Sequence, residues 1–135
     1  MKIVYGPKGT GKTKIVIDEA NGIIDSVKGH VVFITDTNRY MYDLKSQIRF
    51  IDLGKYGINC ESCFAGFIKG VVAANFDNEF IYVDGIARIT GKPLSELGNL
   101  FSAVEALEKE FSVSFIFTCS CSKEELPDFL KKYVD

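Results

Sequence analysis

Gly6-Pro7-Lys8-Gly9-Thr10-Gly11-Lys12-Thr13 is the stretch that decides how the rest of the chain is read. It fills the pattern Gly-x4-Gly-Lys-Ser/Thr at Gly6, Gly11, Lys12 and Thr13. Glycines let the backbone fold back with its N–H groups pointing inward, where they make a nest for phosphate oxygens. A helix starting directly after such a loop adds its own unpaired N–H groups and the positive end of its dipole. Lys12 is then placed to reach the β- and γ-phosphates of a nucleotide, and the Thr13 hydroxyl to ligate Mg²⁺. The surroundings agree. Lys2 to Tyr5 reads as a strand before the loop, and Val16, Ala20, Ile23, Ile24 and Val27 recur at helical spacing after it. Gly6 to Thr13 are therefore the candidate cofactor-binding residues, with Lys12 expected to stand exposed in the loop.

Working outward, strands and helices alternate. Val31 to Thr35 is apolar throughout, as a strand covered on both faces should be. Asp36 to Lys45 reads as a turn and short helix, and Ile48 to Leu53 as a short strand. Phe64, Phe67, Ile68, Val71 and Val72 mark one face of a helix. The next strand, Phe80 to Val83, ends on Asp84-Gly85. A helix is then expected from Pro93 or Leu94, with Leu94, Leu97, Leu100, Phe101, Val104 and Leu107 on its buried stripe. Val113 to Thr118 is the last strand; Ser122 to Leu126 reads as a capped turn leading to a short helix that Pro127 begins. This alternation predicts a single α/β domain over 1–135: a three-layer sandwich with a mostly parallel sheet of four to five strands. Ligands of such sheets bind beyond the carboxyl ends of the strands.

Composition limits the partners. With 135 residues, 47% hydrophobic and 25% charged, there is enough chain for one core and hardly for two. A net charge of −2 carries no nucleic-acid signature, since such partners select a basic face. No apolar run approaches the roughly 20 residues of a membrane segment, and a strand and loop directly after Met1 leave no room for a signal peptide. A cytoplasmic protein is expected. Cys60 and Cys63 form a C-x2-C pair, and Cys119 and Cys121 a C-x-C pair. Four thiolates could hold zinc, but Cys119 and Cys121 fit a buried strand better, and a reducing compartment argues against disulfides.

The loop, followed by an apolar strand ending in Asp84, resembles the Walker A and Walker B pair of P-loop NTPases. That resemblance implies a P-loop NTPase fold and an Asp84 that holds Mg²⁺ through a water. The order of strands is similar to RecA-like and AAA-type ATPases, in which a polar residue ending the last of these strands senses the γ-phosphate; Thr118 and Ser120 are the candidates. The short chain also looks like bacterial P-loop proteins labelled twitching-motility ATPases, although the pilus motor's extra N-terminal domain and histidine-rich motifs are absent from it. Most such ATPases place a glutamate directly after the Walker B aspartate, and Gly85 stands there instead. In RecA-like and twitching-motility ATPases the carboxylate can come instead from the end of the neighbouring strand, and the resemblance makes Asp36, ending the second strand, the alternative general base; it also reads as a helix cap for Asn38 to Lys45. Arg39, Arg49 and Arg88 are candidates for the cation that such sites need, and none is assigned. His30 reads as a turn residue.

The expectation that follows is a protein that binds ATP with Mg²⁺, acting as a weak or partner-stimulated ATPase in which Lys12, Asp84 and Asp36 are the candidate catalytic residues. A homo-oligomer or a protein partner would complete the site. The alternative is a non-hydrolysing regulatory or scaffolding module. A small kinase is less favoured, because Ile86 to Leu97 contains only Arg88 and Lys92, too little for an arginine-bearing lid. No N-K-x-D segment is present to read guanine, which favours ATP over GTP.

Overall fold

In the computed structural model, which describes residues 1–134, five strands form one sheet in which every neighbouring pair is parallel. The strands are β1 (Lys2–Gly6), β2 (His30–Thr35), β3 (Arg49–Asp52), β4 (Asn78–Asp84) and β5 (Ser114–Ser120), ordered β1-β5-β4-β2-β3 across the sheet. The α-helices are α1 (Lys12–Ile23), α2 (Glu61–Ala74), α3 (Ile86–Thr90) and α4 (Gly98–Glu110). Parallel neighbours cannot be joined by a tight turn; helices carry the chain back across the sheet faces after β1, β3 and β4, and the 36–48 segment, with one 3-10 turn, does so after β2. Each strand thus arrives with its carboxyl end on the same edge.

Strand alternation sorts the core into two layers. Val31 and Phe33 of β2, Tyr82 of β4 and Ile116 of β5 pack with Val16, Ile17 and Ala20 of α1. The intervening residues Val32, Ile34, Ile81, Val83, Phe115 and Phe117 pack on the opposite face, with Phe64 and Ile68 of α2 and Leu100, Phe101 and Val104 of α4. Both faces being covered is why these strands are apolar throughout. Each fully buried side chain of this size contributes about 1.5–3 kcal/mol. Tyr82, the one core aromatic with a polar tip on the α1 side, donates its hydroxyl proton to Glu19 (3.2 Å), which also pairs with Lys2 (2.9 Å). Burial first, and then the Glu19 carboxylate, hold this phenol well above its ordinary pKa.

Several expectations are corrected. Asp36 to Lys45 is mostly loop, with a single 3-10 turn at Met41–Asp43 and no side-chain cap. The helix expected from Pro93 or Leu94 is divided into a 3-10 turn at Leu94–Glu96 and α4, and α3 precedes both. The final short helix is 3-10, Asp128–Tyr133, after Pro127. The turn before it is capped as expected: Ser122 N–H donates to Glu125 (3.0 Å), and Glu125 N–H donates to the Ser122 hydroxyl (3.2 Å). The cysteines divide as well. Cys119 and Cys121 are buried and free, whereas Cys60 and Cys63, where no disulfide was expected, are bonded across the first turn of α2. Among the described residues no three His, Cys, Asp or Glu side chains gather to hold a metal, so the four-thiolate zinc reading is set aside.

Candidate functional site

The loop joins the end of β1 to the start of α1, and its glycines do what only glycine does cheaply. Gly9 and Gly11 both have φ of +85°, and a Cβ on Gly6 would come within 2.8 Å of the Thr10 hydroxyl. Lys12 is not exposed as expected; it is buried, with 8% of its surface accessible. The reason is local. Its ammonium donates to the Pro7 carbonyl (3.0 Å), which also accepts from the Thr10 hydroxyl (2.7 Å), so the loop folds over the lysine stem.

Across the sheet edge, register sets up a row. Asp84 pairs with Thr118, and Val83 with Ile34, which brings Thr35 alongside Asp84. All three are two residues beyond a core residue of the α1 layer and so turn toward α1. Asp84 is buried, with 3% of its surface accessible. Its carboxylate accepts from the Thr118 hydroxyl (2.8 Å) and from the Thr13 hydroxyl (3.0 Å to one oxygen, 3.2 Å to the other). The Thr118 hydroxyl also accepts from Gly85 N–H (2.9 Å). Of the two strand-end hydroxyls read from the sequence, Thr118 is thus committed to bracing Asp84, while Ser120 is exposed at the mouth of the cleft. A buried carboxylate facing a hydroxyl, with no nitrogen or sulfur donor between, suits a hard divalent cation such as Mg²⁺.

Arg88 reaches the site by a turn that needs Gly85. Gly85 has φ of +88°, and a Cβ there would run into the Arg88 guanidinium. The guanidinium makes two parallel bonds to Asp36 (2.8 Å each) and lies 3.8 Å from Asp84. Burial raises the Asp36 pKa, but bonding and charge from Arg88 outweigh it and leave the carboxyl below its ordinary value. Asp36 is therefore a partner of Arg88 and not the helix cap that the sequence also allowed. Replacing Gly85 with Ala should cost about 1–3 kcal/mol through left-handed backbone strain and the clash with Arg88. Urea unfolding checks this, and an unchanged midpoint would mean that the turn does not require glycine at 85.

The other candidates separate by position. Arg49 begins β3 opposite Val32, at the far end of the strand from the carboxyl edge, and His30 begins β2 at that same remote end. Arg39 lines the cleft, its guanidinium 5.9 Å from the centre of the Tyr40 ring. The cleft itself measures about 960 Å³ and runs from the loop along α1 to the 36–43 segment. Ile17 and Asp18 of α1, with Tyr40 and Asp43, line the end away from Ser120; sequence reading missed them, though Lys14, Ile17 and Asp18 share one helical face. Its charged lining is nearly balanced. Lys8, Lys12, Lys14, Arg39 and Arg88 stand against Asp18, Asp36, Asp43 and Asp84.

No protein-family model matches the chain, and a search of curated proteins finds no match. Among solved structures, the chain is similar to the flagellar accessory protein FlaH from Methanocaldococcus jannaschii, with a TM-score of 0.58 and 17% sequence identity. The likeness covers 96% of this chain and 64% of that one, so the chain spans under two thirds of the protein it matches. Among the described residues no helix is long and apolar enough to cross a membrane. The order of strands, with β5 between β1 and β4, and the likeness to FlaH together give the chain a RecA-like, three-layer α/β fold of the P-loop type.

Proposed function

We propose that the chain binds a nucleoside triphosphate, ATP by preference, with Mg²⁺ in the cleft at the carboxyl edge of the sheet, and hydrolyses it slowly or only when a partner completes the site. One observation carries this reading: Lys12 and Thr13 of the loop and Asp84 of β4 converge on a single cleft, with the Thr13 hydroxyl 3.0 Å from the Asp84 carboxylate. Gly6 to Thr13 would wrap the phosphates, with Lys12 turning from the Pro7 carbonyl to the β- and γ-phosphates. Thr13 and Asp84 would hold Mg²⁺, Asp84 through a water. Held by these two residues, the ion would supply positive charge to neutralise the phosphates, the terminal phosphate included. Ser120 is the free hydroxyl for sensing that phosphate.

Slow turnover follows from the residues beyond the phosphates. No glutamate succeeds Asp84, and the candidate base at the end of β2, Asp36, is held ionised and weakly basic by Arg88. That pairing also favours the second reading, a regulatory or scaffolding module that binds without hydrolysing. A homo-oligomer or protein partner that drew Arg88 away would free Asp36, and the cytoplasmic address belongs to the same proposal. Titration of ATP, GTP and ADP with and without Mg²⁺, with phosphate release followed in the same samples, tests it. Binding that needs Mg²⁺ and a slow wild-type turnover that falls at least about tenfold in Asp36→Ala are the expected results. Turnover unchanged in Asp36→Ala removes Asp36 as base, and absence of binding by any of the three nucleotides overturns the proposal.

A further inference from the structure

The four cysteines fall into two chemical classes. Cys119 and Cys121 are buried against the α2, α3 and α4 layer, and burial pushes the Cys119 thiol up to about 12, out of reach of ordinary thiol chemistry. Cys60 and Cys63 are the reverse. Cys60 is the N-cap of α2 and half-buried; Cys63 is exposed one turn later; and the two are bonded with their Cα atoms 5.3 Å apart.

This bond does little for the fold. A disulfide stabilises by closing a loop in the unfolded chain, and the effect shrinks with the loop; here the two residues are only three apart in sequence. They are already joined without it. Cys63 N–H donates to Cys60 Sγ (3.2 Å), and Phe64 N–H donates to the Cys60 carbonyl (3.0 Å), so the first turn of α2 holds them together. Phe64, fully buried, anchors that turn against the core. What the arrangement does favour is chemistry. A sulfur at a helix N-cap faces unpaired N–H groups and the positive dipole end, which stabilise a thiolate, and a second sulfur sits at bonding reach to receive or release it.

We propose that Cys60 and Cys63 form a reversible dithiol–disulfide exchange site, with Cys60 as the attacking sulfur, Cys63 as the resolving one, and a dithiol–disulfide couple as the co-reactant. In the oxidising direction the Cys60 thiolate attacks a partner disulfide; the Cys60–partner bond forms, the partner bond breaks, and its leaving sulfur takes a proton. Cys63, losing its own proton, then attacks Cys60 Sγ, closes the internal bond and releases the second partner sulfur as a thiol. Two electrons and two protons pass to the partner, and reduction runs the same steps backward. The site is separate from the nucleotide cleft and does not depend on that reading.

The test uses the full chain, equilibrated with glutathione buffers of graded oxidised-to-reduced ratio, then alkylated and mapped by mass spectrometry. Cys60 and Cys63 should gain and lose label together in one reversible two-electron transition, while Cys119 and Cys121 stay unlabelled until denaturant is added. In Cys63→Ser, oxidised glutathione should form a mixed disulfide on Cys60 at least about tenfold faster than on Cys63 in Cys60→Ser, and urea should abolish the difference. The wild-type titration stands if either variant fails to fold. A pair that stays oxidised at every ratio is a structural bridge, and a pair that stays reduced is two ordinary thiols; either overturns the proposal, as do equal rates in the two folded variants.

Discussion

Lys12→Ala should leave a folded protein that no longer gains stability from Mg²⁺-ATP. At a ligand concentration of 100 times Kd, binding adds about 2.7 kcal/mol to the wild type, which in a domain of this size raises Tm by about 10 °C. The variant should show less than about 1 °C of that rise, because the loop's backbone N–H groups alone cannot offset the charge brought by the triphosphate. The ligand-free protein should also lose about 1 kcal/mol, since Lys12 is buried and its bond to the Pro7 carbonyl goes with it. Scanning calorimetry of both proteins, with and without Mg²⁺-ATP, separates the two effects. A full nucleotide-dependent rise in Lys12→Ala would mean that the loop does not grip phosphate.

Asp84→Asn has the second large effect, and it acts on the apo protein as well. The carboxylate accepts from Thr13 on α1 and from Thr118 on β5, and stands 3.8 Å from Arg88, so it ties three elements to the end of β4. An amide of the same shape can accept from one hydroxyl but turns its NH₂ toward the other donor or toward the guanidinium. Leaving such buried groups mispaired costs about 1–3 kcal/mol. Calorimetric titration should show Mg²⁺ tightening ATP binding at least about tenfold in the wild type and less than about twofold in the variant. Equal Mg²⁺ dependence in the two proteins would remove Asp84 as the metal's carboxylate, whatever happens to stability.

How far the sequence carried varies with the range over which each feature is determined. The loop, and Asp84 and Thr118 at the ends of their strands, were legible because they rest on local pattern: a contiguous motif, and polar residues closing apolar strands. The same local reasoning fails for α3. Ile86–Thr90 is five residues, too short to display helical period, and its two isoleucines and a threonine suit a strand equally well. The pairing of Asp36 with Arg88 has no local signature, because Arg88 lies 52 residues away and only the order of β2 beside β4 brings them together. The burial of Lys12 depends on a backbone carbonyl, which has no signature in residue identity. Compartment says nothing of how Cys60 and Cys63 sit, and their pairing follows from sharing the first turn of one helix.

The near balance of charge along the cleft has a consequence for how a nucleotide would arrive. Five cations against four carboxylates leave little field to extend past the Debye length of about 8 Å at physiological salt. An approaching anion is not drawn in from afar, so its association rate should vary only weakly with ionic strength. Discrimination would then fall to the moment of contact, when the Lys12 ammonium would exchange the Pro7 carbonyl for a phosphate oxygen. A ligand that cannot make that exchange would arrive as often and leave sooner, which places selectivity in residence time.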